Sequence, residues 1–173
     1  MKKVADSAMQ PRLTLRIGVT GHRPNKLSPS QQQKVEERAG TILDCLAAAS
    51  TAIHRANQDV FSADHPDLRL VTSLAEGADT VLARAAHARA FRLDIILPFH
   101  KDMYSSIQDF SAEALAEFES ILQDPSTLDI LELDGDLSSD RSMNAAYEAA
   151  GRRMLAHSDI LFGVWNGEEE AGI

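Results

Sequence analysis

Adjacent apolar residues, instead of alternating ones, mark three runs of the chain: Ile17-Gly18-Val19, Ile95-Ile96-Leu97 and Ile160-Leu161-Phe162. Strands covered on both faces read this way, because neither face meets water. They lie within five β-rich segments, at 13–20, 68–73, 93–99, 128–133 and 159–165. Between the segments the apolar spacing lengthens to the helical period. Ser28-Pro29-Ser30-Gln31 supplies a capping residue, a first-turn proline and a glutamine placed for a capping box. Val35, Ala39, Ile42, Leu43, Leu46 and Ile53 follow on one predicted apolar face. Ala78, Val81, Leu82, Ala85 and Ala86 form a second, small-residue face able to sit close on a sheet. Leu115, Phe118, Ile121 and Leu122 mark a third helix, and Met143, Tyr147, Ala150 and Met154 a fourth ending near His157.

Strands alternating with helices, joined by right-handed crossovers, give an α/β fold: a Rossmann-like, doubly wound, mainly parallel sheet of about five strands. The expected order is 4-3-2-1-5, with the reversal between the first and fifth strands. Residues 1–12 read as a frayed lead-in and 13–173 as a single domain. The polar stretches 58–67 and 134–140 read as surface loops. After the last strand only Asn166-Gly167 and a short acidic tail follow, so no helix is expected to return over that edge. Two expectations stand side by side: a chain continuing beyond Ile173, or a partner, most simply a second copy, on the edge.

Composition narrows this picture. A length of 173 residues with 44% hydrophobic content suits one domain with a real core. No apolar run reaches the roughly 18–20 residues of a membrane span, and no secretory signal opens the chain. The single cysteine, Cys45, cannot form an internal disulfide; on the first helix it is expected as a buried thiol. A cytoplasmic location fits. The formal net charge of −9 is the wrong sign for a protein held to nucleic acid by phosphate contacts, so no nucleic-acid partner is expected. His54, His65, His87, His100 and His157 show no ligand spacing, and Asp134, Asp136 and Asp140 lack the pattern of a calcium loop, so no metal is expected.

In an open parallel sheet the chemistry belongs to the loops after the strands. The first is Gly18-Val19-Thr20-Gly21-His22-Arg23-Pro24. Gly21 allows close backbone approach, Arg23 can pair with a phosphate, and His22 can donate to phosphate or ribose. A tight turn with a solvated arginine is the alternative. Two glycines followed by a proline do not make the GxGxxG dinucleotide fingerprint. The second is Ser73-Leu74-Ala75-Glu76-Gly77-Ala78-Asp79, where a glycine turn opens a helix. Glu76 and Asp79 either cap that helix or accept from ribose hydroxyls. In the third, Pro98-Phe99 precedes Tyr104, which offers a hydroxyl, and Asp109-Phe110, whose ring stacks on a base or anchors the loop. In the fourth, Trp165-Asn166-Gly167, the tryptophan lines a pocket or simply packs. Arg141, Arg152 and Arg153 read as helix-surface residues, one of which could reach a phosphate.

In this order and spacing, these motifs together with Tyr147, Gly151 and Ser158-Asp159-Ile160-Leu161 resemble the SLOG superfamily. That group takes in the DprA/Smf DNA-processing proteins, the LOG lysine-decarboxylase-like proteins and the YpsA-like proteins. The resemblance runs from about Arg16 to Gly167. It implies a Rossmann-like fold with a nucleotide-derived ligand across the strand ends, and the bacterial members in conflict systems are proposed nucleotide sensors. Their glycine and glutamate after the second strand would here be Gly77 and Glu76. Where LOG enzymes carry PGGxGTxxE, this chain has Trp165-Asn166-Gly167, and the position matching their catalytic arginine, counted back from Asp159, is Ala150. These departures turn the expectation toward binding.

The leading expectation is therefore a binding or sensing module for a nucleotide or ADP-ribose-like ligand. Its contacts would be Gly21, His22, Arg23, Glu76, Gly77, Trp165, Asn166 and Gly167, with no other cofactor required. The alternatives are an N-glycosidic hydrolase or transferase, with Glu76 or Asp79 as nucleophile or acid, and an interaction module pairing through its uncovered edge.

Overall fold

Each apolar run forms a strand, and the five strands make one parallel sheet in a computed structural model that describes residues 10–26, 28–107 and 110–167. The strands are β1 (Thr14–Gly21), β2 (Asp67–Thr72), β3 (Arg92–Leu97), β4 (Thr127–Glu132) and β5 (Ile160–Val164), in the order β4-β3-β2-β1-β5. All four neighbouring pairs are parallel. The chain thus winds outward from β1 to β4, then crosses back to lay β5 on the other side of β1. This is the reversal expected from the sequence.

The helices are α1 (Pro29–Ala56), α2 (Ala78–His87), α3 (Lys101–Ile107), α4 (Ala112–Gln123) and α5 (Asp140–Ala156). α1 begins with the expected capping box: Ser28 Oγ accepts from the Gln31 amide at 3.4 Å, and Gln31 Oε1 accepts from the Ser28 amide at 2.8 Å. A crossover of constant hand lays helices on opposite faces when the winding direction reverses. Accordingly, Ala39 and Leu43 of α1, Val81 and Leu82 of α2, Tyr104 of α3 and Phe118 of α4 share one core with Ile17, Leu70 and Ile95. On the other face, Ala150 and Met154 of α5 pack on Val71 and Ile96.

Several sequence expectations need correction. Cys45 is exposed, because Ala39, Leu43 and Leu46 take the inward stripe of α1 and Cys45 points away from it. Ile42 and Ile53, expected on the same stripe, are 44% and 51% exposed for the same reason. Asp67, expected at the end of a surface loop, opens β2 and is buried between Arg69 and Arg92. The seven-residue α3 is too short to show a period in the sequence. Residues 10–12 are tied to the segment before β2, with Gln10 Nε2 donating to the Asp59 carbonyl at 2.9 Å and Arg12 Nε to that of His65 at 2.8 Å. The rest of the expected lead-in, Asp109 and residues 168–173 lie outside the described residues.

β5 is a sheet edge, and its Ile160 and Leu161 are 39% and 46% exposed. Among the described residues, no helix is long and apolar enough to cross a membrane.

Candidate functional site

The loop after β1 is sewn to both of its neighbours. The His22 amide donates to the Val164 carbonyl at 3.2 Å, and the His22 carbonyl accepts from the Ala78 amide at 3.1 Å. His22 Nε2 and Asn166 Oδ1 lie 3.1 Å apart. The β1 and β5 loops therefore meet at the reversal point, as the sequence implied. Gly21 is needed for this fit: a Cβ there would come within 2.7 Å of the Cβ atoms of both Ala78 and Val164. Its small size serves the packing of β1, α2 and β5.

The loop after β2 is held from within. Leu74 takes a positive φ of 54° while fully buried, and Gly77 turns into α2 at φ 114°. A side chain at Gly77 would press on the His22 carbonyl, 2.6 Å from the Cβ position. Asp79 ties this loop down: its Oδ2 accepts from the Thr72 hydroxyl at 3.1 Å and from the Ser73 amide at 3.2 Å. Thr72 Oγ1 accepts in turn from the Leu74 amide at 3.0 Å. Because the Ala78 amide is given to His22 and the Gly77 amide to Thr80 Oγ1, the first donors of α2 serve the fold.

A cleft of about 1230 Å³ opens at the carboxyl ends of β1 and β2. One wall is Thr20, Gly21 and Arg23 with Ser73, Ala75 and Asp79; the other is α5, through Arg141, Asn144, Tyr147 and Glu148. Arg23 and Arg141, both exposed, supply positive charge to opposite walls. Burial pushes the Asp79 carboxyl up to about 6, against the bonds from Thr72, Ser73 and Ala75 and the charge of Arg23, which pull it down. A site of this kind can clamp an anion between guanidinium groups and hold neutral polar groups deeper in.

Not every expected contact reaches this cleft. Gly21 and Arg23 line it, whereas His22 and Gly77 are not among its lining residues, although a Cβ at Gly77 would lie 3.0 Å from the Arg23 Cα. Glu76 turns toward α4, where its carboxylate accepts from the Ser111 hydroxyl at 3.3 Å and amide at 3.4 Å, and it is not among the lining residues. Trp165, 65% exposed, and Asn166 border a separate hollow of about 210 Å³ against Lys34, Val35 and Arg38 of α1. Gly167 is exposed at φ 90°. Phe110 anchors its loop, stacked against Phe118 with ring centroids 5.5 Å apart. Of the α5 wall the sequence offered only Arg141, as one of three helix-surface arginines that could reach a phosphate, and Tyr147 and Gly151 as parts of the resemblance. The signal of the wall was the polar set Arg141, Asn144 and Glu148, spaced at three and four residues beside the apolar stripe. Among the described residues, no cluster of His, Cys, Asp or Glu could hold a metal ion.

The fold and cleft define a Rossmann-like domain with a candidate ligand site at the carboxyl ends of β1 and β2, on the β2 side of its strand-order reversal. No family model matches the chain, and no curated protein matches it either.

Proposed function

We propose that this domain is a SLOG-type binding or sensing module that holds a nucleotide-derived ligand in the cleft between the β1 and β2 loops and α5. The observation that carries this reading is the pair Arg23 and Arg141 on facing walls at the carboxyl ends of the strands, beside the reversal. Ligands of open α/β sheets collect at that place, and paired guanidinium groups suit phosphate oxygens. The cleft volume is sufficient for a mononucleotide or ADP-ribose-sized molecule. A cytoplasmic location belongs to the same proposal.

Binding is favoured over N-glycosidic cleavage because the carboxylates nearby are already engaged. Asp79 holds the β2 loop, Glu148 pairs with Arg152 at 2.6 Å, and Glu76 meets Ser111. Calorimetry on a panel of AMP, ADP, ATP and ADP-ribose tests the reading. Saturable binding is expected, weakened about tenfold or more (roughly 1.4 kcal/mol) in Arg141→Ala and in Arg23→Ala. A folded protein that binds none of the panel overturns it.

A second reading, assembly through the edge, is favoured by exposed Ile160 and Leu161 on β5 together with Leu155, 53% exposed, on α5. A mass that rises with protein concentration is its expected signature, and a monomer at every concentration removes it.

A further inference from the structure

α5 is built largely on alanine, the residue helices favour most, with Ala145, Ala146, Ala149 and Ala150 in its span; Gly151 follows them in the helix interior. A glycine there costs stability through backbone entropy, and is kept where something needs the space of a side chain. Packing does not need it: a Cβ at Gly151 would meet no group of the fold within 4 Å. Gly40, the other helical glycine among the described residues, is small for a packing reason, since a Cβ there would collide with the Arg89 guanidinium. Gly151 instead lines the large cleft, so the space left by its missing side chain belongs to the cleft.

The lining changes character along α5. Arg141 and Glu148 are polar, whereas Tyr147, Ala150, Gly151 and Met154 recur at three and four residues and form an apolar stripe. Tyr147, half-buried, is the only aromatic residue of the lining. Its ring is braced at right angles on the fully buried Phe99, with centroids 5.5 Å apart and planes at 86°. From Arg141 to Gly151 the helix rises about 15 Å, at 1.5 Å per residue. A guanidinium at one end of this wall and bare backbone beside an aromatic ring at the other suit a molecule with an anionic end and a flat apolar end.

We propose that Gly151 and Tyr147 form the nucleobase subsite of the cleft, with the flat base over the bare helix backbone at Gly151 and against the Tyr147 ring. Gly151 is then a specificity-determining residue for ligands that carry a planar heterocycle. This rests on the nucleotide reading of the cleft and deepens it, leaving the phosphate of the same ligand to the exposed Arg23 and Arg141. Every base has a π-face that gains from an aromatic neighbour, whatever its ring nitrogens. A side chain at position 151 would occupy the same space as the base, so the two exclude each other.

The test is calorimetry with AMP on the wild-type protein, Gly151→Ala and Gly151→Leu, together with intermolecular NOEs between AMP and the wild type. Gly151→Leu is expected to bind AMP about tenfold or more weakly than wild type, as for a lost base contact. Both variants are expected to melt no lower than wild type, and Gly151→Ala about 2–4 °C higher, since alanine enters a helix there without a clash. The H2 and H8 protons of the base are expected to show NOEs to the Tyr147 ring. Unchanged AMP affinity in Gly151→Leu overturns the base subsite and leaves the nucleotide reading standing, as does bound AMP with no NOE from its base to Tyr147. A variant that melts below wild type also overturns the subsite, because the glycine would then serve the fold. No binding of AMP by the folded wild type overturns the nucleotide reading, and the subsite with it.

Discussion

Replacing Asp79 by asparagine keeps the shape of the side chain and removes its charge, so it isolates the cost of holding a carboxylate inside the fold. Burial pushes this carboxyl from an ordinary 3.8 up to about 6. At 1.36 kcal/mol per pKa unit, ionised Asp79 costs the folded state about 3 kcal/mol. A raised folded pKa means that folding takes up a proton between about pH 4 and pH 6. The contribution of this group to stability is therefore fullest below about pH 4 and is lost as the pH rises through about 6. The carboxamide of the variant does not titrate, and its oxygen can still accept from Thr72 and Ser73. Any fixed difference between the proteins cancels when the two pH values are compared. Denaturant unfolding of wild type and Asp79→Asn at pH 4 and pH 8 should thus show the variant gaining about 3 kcal/mol relative to wild type at the higher pH. A difference that stays constant, or moves the other way, would refute a buried, proton-binding Asp79.

Asp67 should behave with the opposite sign. Burial raises its carboxyl, but the bonds and charges of Arg92 and Arg69 more than offset this and hold it below the ordinary value. Its contribution is present above about pH 4 and lost as the pH falls. Asp67→Asn should lower stability at pH 7 by about 2 kcal/mol, because two partly buried arginines lose their partner, and by much less at pH 3. Thermal unfolding at both pH values checks this, and an equal loss at each would contradict it. Gly77→Ala places a side chain at φ 114° against the His22 carbonyl, so a loss of about 2–4 kcal/mol is expected. A melting temperature equal to that of wild type would contradict the loop geometry.

The sheet was legible because its interior strands are dry on both faces, and runs such as Ile95-Ile96-Leu97 read as little else. The strand order was expected from the doubly wound pattern, and crossover handedness then sets which face each helix covers. Boundaries shifted by a residue or two, as helix and strand ends do. The site was only half legible. The first wall could be found by looking after strands, and the meeting of His22 with Asn166 followed from the order. The second wall could not, because a polar face of α5 looks alike whether it borders solvent or a cleft. Glu76 shows the same limit: its position at a helix start was readable, but its turn toward Ser111 depends on where α4 packs. Tyr104 carried a hydroxyl of interest in the sequence, but its burial against Phe110 and Phe118 depends on how α3 and α4 pack and was not readable there.

The most direct measurement of the central claim is an amide ¹H–¹⁵N titration of the wild-type protein with ADP. The account predicts saturable shifts concentrated in residues 20–23, 73–79 and 141–151, the two walls of the cleft. Shifts confined to the β5 edge or to the α1 hollow at Trp165, or no shifts in a folded protein at millimolar ADP, would contradict it.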